Sequence, residues 1–302
     1  MKIRLQSRSV RGTGHDERNR RSRSSECARP LPFGTPFTYA INETTDRTLG
    51  ASQLTGLLDA GTDVVLQASN DITVSNPITV NNGSGDGGHL TLQAGRSLLL
   101  DANVTTDNGN NLTLIANDAN ANGVAAAQRD AGAAVITMAD GVAIDAGTGN
   151  VLMELRDGAG RTGAAAQSGD ITLRAISART ITAVNADPTA GSGIILESDA
   201  LTANATTGDG IVLAGDDFTN NAGSSALAVG SGSRWLVWSG NPANDTRSGL
   251  AYDFDQYNAT YGATTPVAST GNGFLYTLAP SACPPTSSLR DRTREIIASI
   301  PR

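Results

Sequence analysis

The chain is built from short segments in which apolar and polar residues alternate, separated by glycine and small polar residues. The stretch SGDITLRAISARTITAVN at 168–185 shows the pattern, with Ile171, Leu173 and Ile181 at its apolar positions. Alternation with a period of two is typical of β-strands that bury one face. The pattern predicts short strands, with Ile171 and Leu173 directed inward and Thr172 outward.

Segments of this kind recur at gaps of 22, 23, 16, 20, 23 and 17 residues, counted between their first apolar positions from Leu90 to Ile211. A period of about 20 residues made of short strands is the signature of a solenoid, in which each coil pairs with its neighbours. We therefore predict a parallel β-helix of roughly nine coils over residues 60–240, with strands about 4.8 Å apart. The segments are DITV (71–74), HLTL (89–92), NLTL (111–114), AVITM (134–138), NVLME (150–154), DITL (170–173), GIIL (193–196) and GIVL (210–213).

Three local features modify this regular pattern. The residues SGD at 168–170 are expected to form a corner, because Ser, Gly and Asp favour turns. Leu54, Leu57 and Leu58 have helical spacing and predict a short helix before the first strand. The segment ANDANANGVAAAQRDAG at 116–132 breaks the rhythm, and we expect it to form a loop that leaves one coil.

The chain divides into four regions by composition. Residues 1–48 are rich in Arg and Ser and predict a disordered basic arm and linker; residues 49–233 form the predicted shaft. Residues 234–280 are expected to form an aromatic-rich cap, and residues 281–302 a polar tail with the pattern of a short helix. Eight of the twelve aromatic residues lie between 235 and 276. Because the terminal repeats of a solenoid must cover its core, we expect these rings to close the bore.

The composition favours a thin core of small side chains. Aromatic residues make up 4% of the chain and charged residues 17%, while 34 of the 302 residues are glycine. A conventional globular core contains more aromatic volume. Val, Ile, Leu and Ala suit the narrow bore of a solenoid, so the predicted fold class is all-β, a right-handed parallel β-helix.

Charge and hydropathy exclude some classes of function. The net charge is −7; residues 1–29 contribute +6 and residues 281–302 contribute +2, which leaves −15 for residues 30–280. Such an acidic body excludes nucleic-acid binding, which needs a basic surface. No apolar span of 18 residues occurs, so no transmembrane segment is predicted. The basic start lacks the apolar region of a signal peptide.

Histidine and cysteine offer little for catalysis or metal binding. His15 lies in the basic arm, and His89 is expected to be a solvent-facing residue at the start of a strand. Cys27 and Cys283 lie in the flanking segments, with no spacing that indicates a disulfide framework or a metal site. The segment NNGSGDGG at 81–88 occurs once and out of phase with calcium-binding repeats. We predict no catalytic, cofactor-binding or metal site.

Carboxylates are numerous, and they keep one alternative open. Most of them lie beside Gly or Asn, where Asp favours turns without any catalytic role. A β-helix enzyme acting on polysaccharide would instead gather at least two carboxylates and an Arg or Lys on one face. The nearest basic candidates are Arg156, Arg161 and Arg174. The carboxylates are Asp86, Asp101, Asp145, Asp170, Asp199, Asp209, Asp216 and Asp217.

Several segments resemble a known family. LLDAGTDVVLQASNDITVSNPITV, GGHLTLQAGRSLLLDANVTTDNGNNLTLIAND, GDITLRAISARTITAVN and GDGIVLAGDDFTNNAGSSAL are similar to the β-helical shaft of filamentous-haemagglutinin-like adhesins, the exoproteins of bacterial two-partner secretion. The segment that begins RWLVWSGNPANDTRSGL and ends GNGFLYTLAP resembles the element that terminates such a shaft. The resemblance covers about residues 49–280.

The resemblance implies a non-enzymatic, extracellular or cell-surface shaft of a bacterial adhesin, with host-cell or surface glycans and proteins as its partners. Members of the family begin with a long signal peptide and a secretion domain that engages an outer-membrane transporter. Neither is found here, so this chain is expected to be a shaft fragment or a truncated reading frame, and the transporter is a partner only if such a domain exists. The alternative is a polysaccharide-binding or polysaccharide-degrading β-helix protein.

Overall fold

The computed structural model describes most of the chain between residues 38 and 280, together with the backbone of residues 3–5. His15, Asp86, both cysteines and the predicted tail helix lie outside the described residues. So does most of the basic arm, whose residues 3–5 form a strand. The described ranges are 3–5, 38–39, 46–83, 87–106, 109–163, 166–186 and 192–280.

The chain enters the fold through two short strands and a helix: β1 (Ile3–Leu5), β2 (Arg47–Leu49) and α1 (Ala51–Asp59). Three strands then form each coil. In chain order the coils are β3 (Val64–Ala68), β4 (Ile72–Val74) and β5 (Ile78–Thr79); β6 (Leu90–Ala94), β7 (Leu98–Leu100) and β8 (Val104–Thr105); β9 (Leu112–Ala116), β10 (Ala134–Met138) and β11 (Ala143–Asp145); β12 (Asn150–Leu155), β13 (Ser168–Leu173) and β14 (Ala175–Ala178); β15 (Thr180–Asn185), β16 (Gly193–Leu196) and β17 (Leu201–Ala203); and β18 (Gly208–Ala214), β19 (Asp217–Asn220) and β20 (Leu227–Val229).

Three further strands follow the coils: β21 (Ser233–Ser239), β22 (Phe254–Tyr257) and β23 (Gly273–Tyr276). The long connection between β9 and β10 contains two short 3₁₀ helices, Asn120–Asn122 and Ala126–Gln128. This connection is the loop predicted at 116–132.

Strands at the same place in successive coils pair side by side and form three sheets. Sheet 1 collects the first strand of each coil and ends in the order β21, β23, β22. Sheet 2 collects the second strands, and sheet 3 the third strands from β5 to β20. Pairing between coils is parallel throughout, whereas β1 lies antiparallel between β2 and β4. The described residues therefore form a mostly β, solenoid-like stack of parallel sheets.

The predicted inward and outward positions are confirmed on β13 and β15. Ile171, Leu173 and Ile181 are fully buried, whereas Thr172 is partly exposed. Stacking places Ile171 between Ile136 and Ile194 of the neighbouring coils. Burial of each such side chain contributes about 1.5–3 kcal/mol to stability. One continuous apolar core results, and it runs from Leu49 to Tyr276.

The coils are longer and fewer than the sequence period predicts. Within the described residues the structure has six coils of three strands, since sheet 3 contains six strands. Their first strands begin at residues 64, 90, 112, 150, 180 and 208, so the coils span 26, 22, 38, 30 and 28 residues. The prediction of nine coils was wrong because segments of sheet 1 and sheet 2 share one pattern. NVLME belongs to sheet 1, whereas DITL and GIIL belong to sheet 2.

The stretch 168–185 supplies one strand to each sheet: β13, β14 and β15. The strand Ala175–Ala178 between its two evident strands was missed, because small residues occupy most of its positions. The predicted corner at 168–170 is also wrong, since these residues begin β13. The pairing of β13 with β10 is irregular here, where Ser168 and Ile171 face Ala134 and Ile136. Such a β-bulge accommodates residues that favour turns.

The predicted helix is confirmed as α1, which packs on the first coil. Ala51, Leu54 and Leu58 are fully buried and two of them, Leu54 and Leu58, belong to the continuous core. Leu57 lies on the opposite side and is partly exposed. The helix therefore covers the apolar core where the coils begin.

Aromatic residues near the end of sheet 1 separate onto its two faces. Trp235, Phe274 and Tyr276 belong to the continuous core. Trp238 instead belongs to a second apolar cluster, with Leu236 and Leu275, on the outer face. The end of sheet 1 therefore has the continuous core on one face and a small second apolar cluster on the other.

Candidate functional site

Acidic side chains of the coils bond mainly to backbone groups and arginines close to them. Asp170 accepts a hydrogen bond from the N–H of Gly193 at 2.9 Å, one coil further along sheet 2. Asp71, which the sequence analysis did not single out, accepts one from the N–H of Ser97 at 3.0 Å. Other predicted carboxylates bond as follows: Asp145 with the N–H of Gly147, Asp199 with Ser198, Asp209 with Arg234, and Asp217 with Asn244.

One group of charged residues does converge, beside the long connection that follows β9. We call it the insertion cluster, and it consists of Tyr39, Asn117, Asp118, Arg129, Glu154, Arg156 and Arg161. Arg156 donates to Asp118 at 2.7 Å and to Glu154 at 2.9 Å. Arg174 lies elsewhere and pairs with Asp140 at 3.1 Å. Arg156 therefore meets two carboxylates, whereas Arg161 donates to the backbone carbonyl oxygen of Asp118 and to the side-chain oxygen of Asn117. Neither carboxylate was singled out from the sequence.

Asp118 lies at the centre of the insertion cluster and is fully buried. Its Oδ1 accepts hydrogen bonds from Arg156, from Asn122 at 2.7 Å and from the N–H of Ala119 at 2.9 Å. Its Oδ2 accepts one from the Tyr39 hydroxyl at 3.0 Å. Burial opposes the charge, but these hydrogen bonds outweigh it and lower the pKa of Asp118. The carboxylate is held ionised and is fully engaged by the protein.

Asn117 and Arg129 complete the interior of the cluster. Asn117 adopts a left-handed backbone conformation with φ of 52°, which asparagine tolerates. Its side-chain nitrogen lies 2.9 Å from the carbonyl oxygens of Arg156 and Ala166, and its oxygen accepts from Arg129 at 3.2 Å. Burial, with repulsion from neighbouring arginines, lowers the pKa of Arg129 to about 10. The guanidinium also donates to the carbonyl oxygen of Gly95 at 2.9 Å.

This geometry fits a structural network better than general acid–base catalysis. A general acid or base must exchange a proton with a substrate, which requires an accessible group with a pKa near the working pH. Asp118 is inaccessible, and Glu154 shares its arginine. Among the described residues, no buried polar side-chain atom of the cluster lacks a hydrogen-bond partner. The network fixes the long connection against the coils, a role that local sequence patterns do not reveal.

Two hydrogen bonds to backbone and side-chain groups of neighbouring coils hold His89 in place. Its Nδ1 accepts from the N–H of Asn111 at 3.0 Å, and its own backbone N–H donates to Asp63 at 3.0 Å. The side chain is half-buried rather than solvent-facing, since it bridges to the next coil. Of the NNGSGDGG segment, residues 84–86 lie outside the described part of the chain.

A second polar group lies beside the aromatic rings at the end of the core. The guanidinium of Arg247 stacks 4.3 Å from the ring centre of Phe274 and 4.8 Å from that of Tyr252. It also donates to the Tyr276 hydroxyl at 2.5 Å. Cation–π contacts of this kind are worth about 0.5–2 kcal/mol. Arg247 therefore anchors the connection between β21 and β22 to the core.

Asp245 lies next to this stack and is mostly buried. Its Oδ1 accepts from the Ser239 hydroxyl at 2.7 Å and from the N–H of Phe218 at 3.0 Å. Burial raises the pKa of Asp245 to about 6, against the effect of these hydrogen bonds. No sequence pattern indicates the raised pKa of this carboxyl.

Among the described residues, no group of three or more His, Cys, Asp or Glu side chains is placed to hold a metal ion. No described helix has the length and apolar character needed to cross a membrane. Comparisons with protein families, with curated proteins and with solved structures found no match to this chain.

Proposed function

We propose that the chain is a non-enzymatic β-helical shaft fragment of a bacterial surface or secreted adhesin, of the filamentous-haemagglutinin-like type. The observation that carries the proposal is the stack of parallel strands, which continues from coil to coil in three sheets of the described residues. Its work is to extend and present surface contacts to host-cell or surface glycans and proteins. We infer an extracellular or cell-surface location, with an outer-membrane transporter as partner if a secretion domain accompanies the chain.

Two finer features belong to the same proposal. We infer a right-handed winding of the coils, because crossover connections between parallel strands are right-handed in nearly all known cases. We also infer that residues 234–280 act as a terminal cap. The burial of Trp235, Phe274 and Tyr276 in the core supports this role, as does the guanidinium of Arg247 stacked on the rings. A cap of this kind covers core and strand edges that would otherwise promote association.

An adhesion assay tests the proposed function. Fluorescent beads coated with the purified chain are incubated with cultured epithelial cells, and bound beads are counted with and without soluble chain as competitor. We expect saturable binding that the soluble chain inhibits and that heat denaturation abolishes. Binding no greater than that of albumin-coated beads would contradict an adhesin role. Sequencing upstream of Met1 for an in-frame secretion domain tests the assignment to two-partner secretion.

The alternative of a polysaccharide-degrading enzyme is favoured by one observation, the contact of Arg156 with the carboxylates of Asp118 and Glu154. Reducing-end release from a panel of bacterial and host polysaccharides tests it. The adhesin proposal predicts no release above a heat-treated control. Release that disappears in Glu154→Gln, with the fold retained, would establish the enzyme instead.

A further inference from the structure

Sheet 2 begins with two strands that do not belong to any coil. The strand β1 pairs on one side with β2 and on the other side with β4, and both pairings are antiparallel. The strands of successive coils pair in parallel, for example β4 with β7 and β13 with β16. The strand β1 is therefore inserted between two others and does not continue the winding. We call the position between β2 and β4 the strand slot.

The strand slot suits a short extended segment with the pattern apolar, polar, apolar. On β4, the partners of the first and third residues of β1 are buried apolar residues, whereas the partner of the middle residue is partly exposed. The sequence of β1, Ile-Arg-Leu, follows this alternation. The pairs are Ile3 with Val74, Arg4 with Thr73 and Leu5 with Ile72.

The fold needs a strand in this position. Without one, β2 and β4 would lie two strand spacings apart, about 9.6 Å, which is too far for them to pair with each other. Each would then present a row of unpaired N–H and C=O groups, and such an edge is a template for a strand from another chain. The strand slot is therefore filled either by the first strand of the same chain or by that of a second chain.

No short connection ties β1 to the strand slot. The 32 residues 6–37 separate β1 from the next described residues of the chain, at 38–39. A link of this length spans up to about 100 Å when it is extended. The segment Ile3–Leu5 of one chain can therefore reach the strand slot of a neighbouring chain.

The charge of the chain favours the approach of an arm from a second copy. Residues 1–29 carry a net charge of +6, whereas residues 30–280 carry −15. Opposite charges steer association, and like charges oppose it. The acidic bodies of two chains repel each other, but each body attracts the basic arm of the other. The arm is thus the part of a second copy that electrostatics brings to the body.

We propose that the strand slot takes the segment Ile3–Leu5 of a second copy of this chain, so that two chains exchange their first strands reciprocally. The exchanged and unexchanged forms contain the same strand pairings, which makes such an exchange a low-cost route to a dimer. A flexible link gives the strand an effective concentration on the order of 1 mM within its own chain. We therefore expect exchanged dimers at chain concentrations of about 0.1–1 mM. This inference does not depend on adhesion.

Two chains with one thiol each test the exchange. Both carry Cys27→Ser and Cys283→Ser; the first has Arg4→Cys, and the second has Thr48→Cys with a C-terminal tag that increases its mass. Positions 4 and 48 are paired, and paired residues on antiparallel strands lie about 4.5–5.5 Å apart, within the range for a disulfide. The chains are mixed at about 0.5 mM and oxidised under native conditions. We expect at least five times more mixed disulfide than with Thr202→Cys, an exposed position on sheet 3.

A proline variant separates strand pairing from random collision of the arm. Ile3→Pro, added to the chain with Arg4→Cys, keeps the thiol but removes an N–H from a strand that is paired on both sides. We expect the mixed disulfide to fall to the level of the Thr202→Cys control. A mixed disulfide that is unchanged by Ile3→Pro would overturn the proposal, because it would not require the strand.

A third chain shows whether the strand slot is filled from within. It carries Arg4→Cys and Thr48→Cys together, in the same cysteine-free background, and its monomeric disulfide is measured at about 0.01 mM, far below the effective concentration within one chain. Closure is expected there. If this chain closes but the mixed disulfide does not exceed the Thr202→Cys control, the slot takes only its own strand, and the exchange is refuted. If neither disulfide forms, β1 does not occupy the slot, and the proposal fails as well.

Discussion

The insertion cluster and the C-terminal end of sheet 1 both bury polar groups beside a parallel sheet, but they differ in how those groups are satisfied. In the insertion cluster, Asp118 receives hydrogen bonds from Arg156, Asn122, Ala119 and Tyr39. At the end of sheet 1, the buried Nε1 of Trp238 and the buried Oδ1 of Asn185 have no partner among the described residues. Satisfied groups hold the scaffold together, whereas buried polar groups without a partner reduce its stability.

The largest effect is expected where a carboxylate is buried with no partner at all. Ile171→Asp places a charge among Ile136, Ile194 and the rest of the core. Because an unpaired buried charge is very costly, we expect a loss of more than about 4 kcal/mol in the free energy of unfolding. Thr172→Asp, on the outer face of the same strand, should change it by less than about 1 kcal/mol. Urea unfolding followed by circular dichroism measures both, and equal losses would refute the assigned faces.

The second-largest loss of stability is expected when Asp118, a buried carboxylate with several hydrogen-bond partners, is removed. Asp118→Ala leaves Arg156, Tyr39 and Asn122 without their shared acceptor. We expect a loss of about 3 kcal/mol, the lower end of the cost of breaking a buried ion pair. Asp140→Ala is the matched control, because Asp140 also pairs with an arginine but its side chain is 93% exposed. Its loss should stay below about 1 kcal/mol. If Asp118→Ala lost as little stability as Asp140→Ala, the insertion cluster would contribute little to stability.

The expected effect on stability is intermediate at Asp245, because this carboxyl is mostly buried and receives two hydrogen bonds. Its pKa is raised from 3.8 to about 6 in the folded protein, so the native state keeps a proton that the unfolded chain releases. Its contribution to stability is therefore full below about pH 4 and is lost as the pH rises through 6. Asp245→Asn cannot titrate and retains the acceptor for Ser239 and Phe218.

The variant's free energy of unfolding, relative to that of the unmodified chain, should rise by about 1–2 kcal/mol between pH 4.5 and pH 8, after allowance for solvent screening. Urea unfolding at the two pH values measures the difference. A difference that is independent of pH would mean that the pKa of Asp245 is not raised.

The smallest effect is expected at Trp238. Trp238→Phe removes an N–H that has no protein partner and keeps an aromatic ring against Tyr261, so the loss should be below about 1 kcal/mol. Trp235→Phe leaves a void in the packed core and should cost about 2 kcal/mol. Thermal or urea unfolding compares the two. A larger loss for Trp238→Phe would show that its N–H already has a partner within the protein.

The regular alternation of apolar and polar residues in the coils allowed the buried faces of the strands to be predicted from sequence. Alternation identified the buried faces at Ile171, Leu173 and Ile181, because that pattern is local. It could not distinguish sheet 1 from sheet 2, since NVLME and DITL share one pattern. The predicted number of coils was therefore nine instead of the six that the described residues form. The strand Ala175–Ala178 was missed because small side chains give a weak pattern.

The polar regions required information that is not local. Asp118 and Arg156 are 38 residues apart, and Asn185 and Trp238 come from coils separated by β18. Arg156 and Arg161 were identified as candidates, but their partners depend on how the long connection after β9 folds back. The raised pKa of Asp245 likewise results from burial next to Phe218 and Ser239, which no spacing reveals.

The central claim is that successive coils stack in parallel register with the same faces inward, and disulfide trapping tests it most directly. In a chain with Cys27 and Cys283 replaced by serine, Thr172→Cys combined with Ile195→Cys places two thiols on adjacent strands at paired positions. Strand spacing of about 4.8 Å lies within the range for a disulfide, whereas a partner two residues further along, at Glu197, lies beyond about 7 Å. The account predicts rapid oxidation of the 172–195 pair and none of the 172–197 pair under native conditions. Equal oxidation of both pairs, or of the second alone, would contradict it.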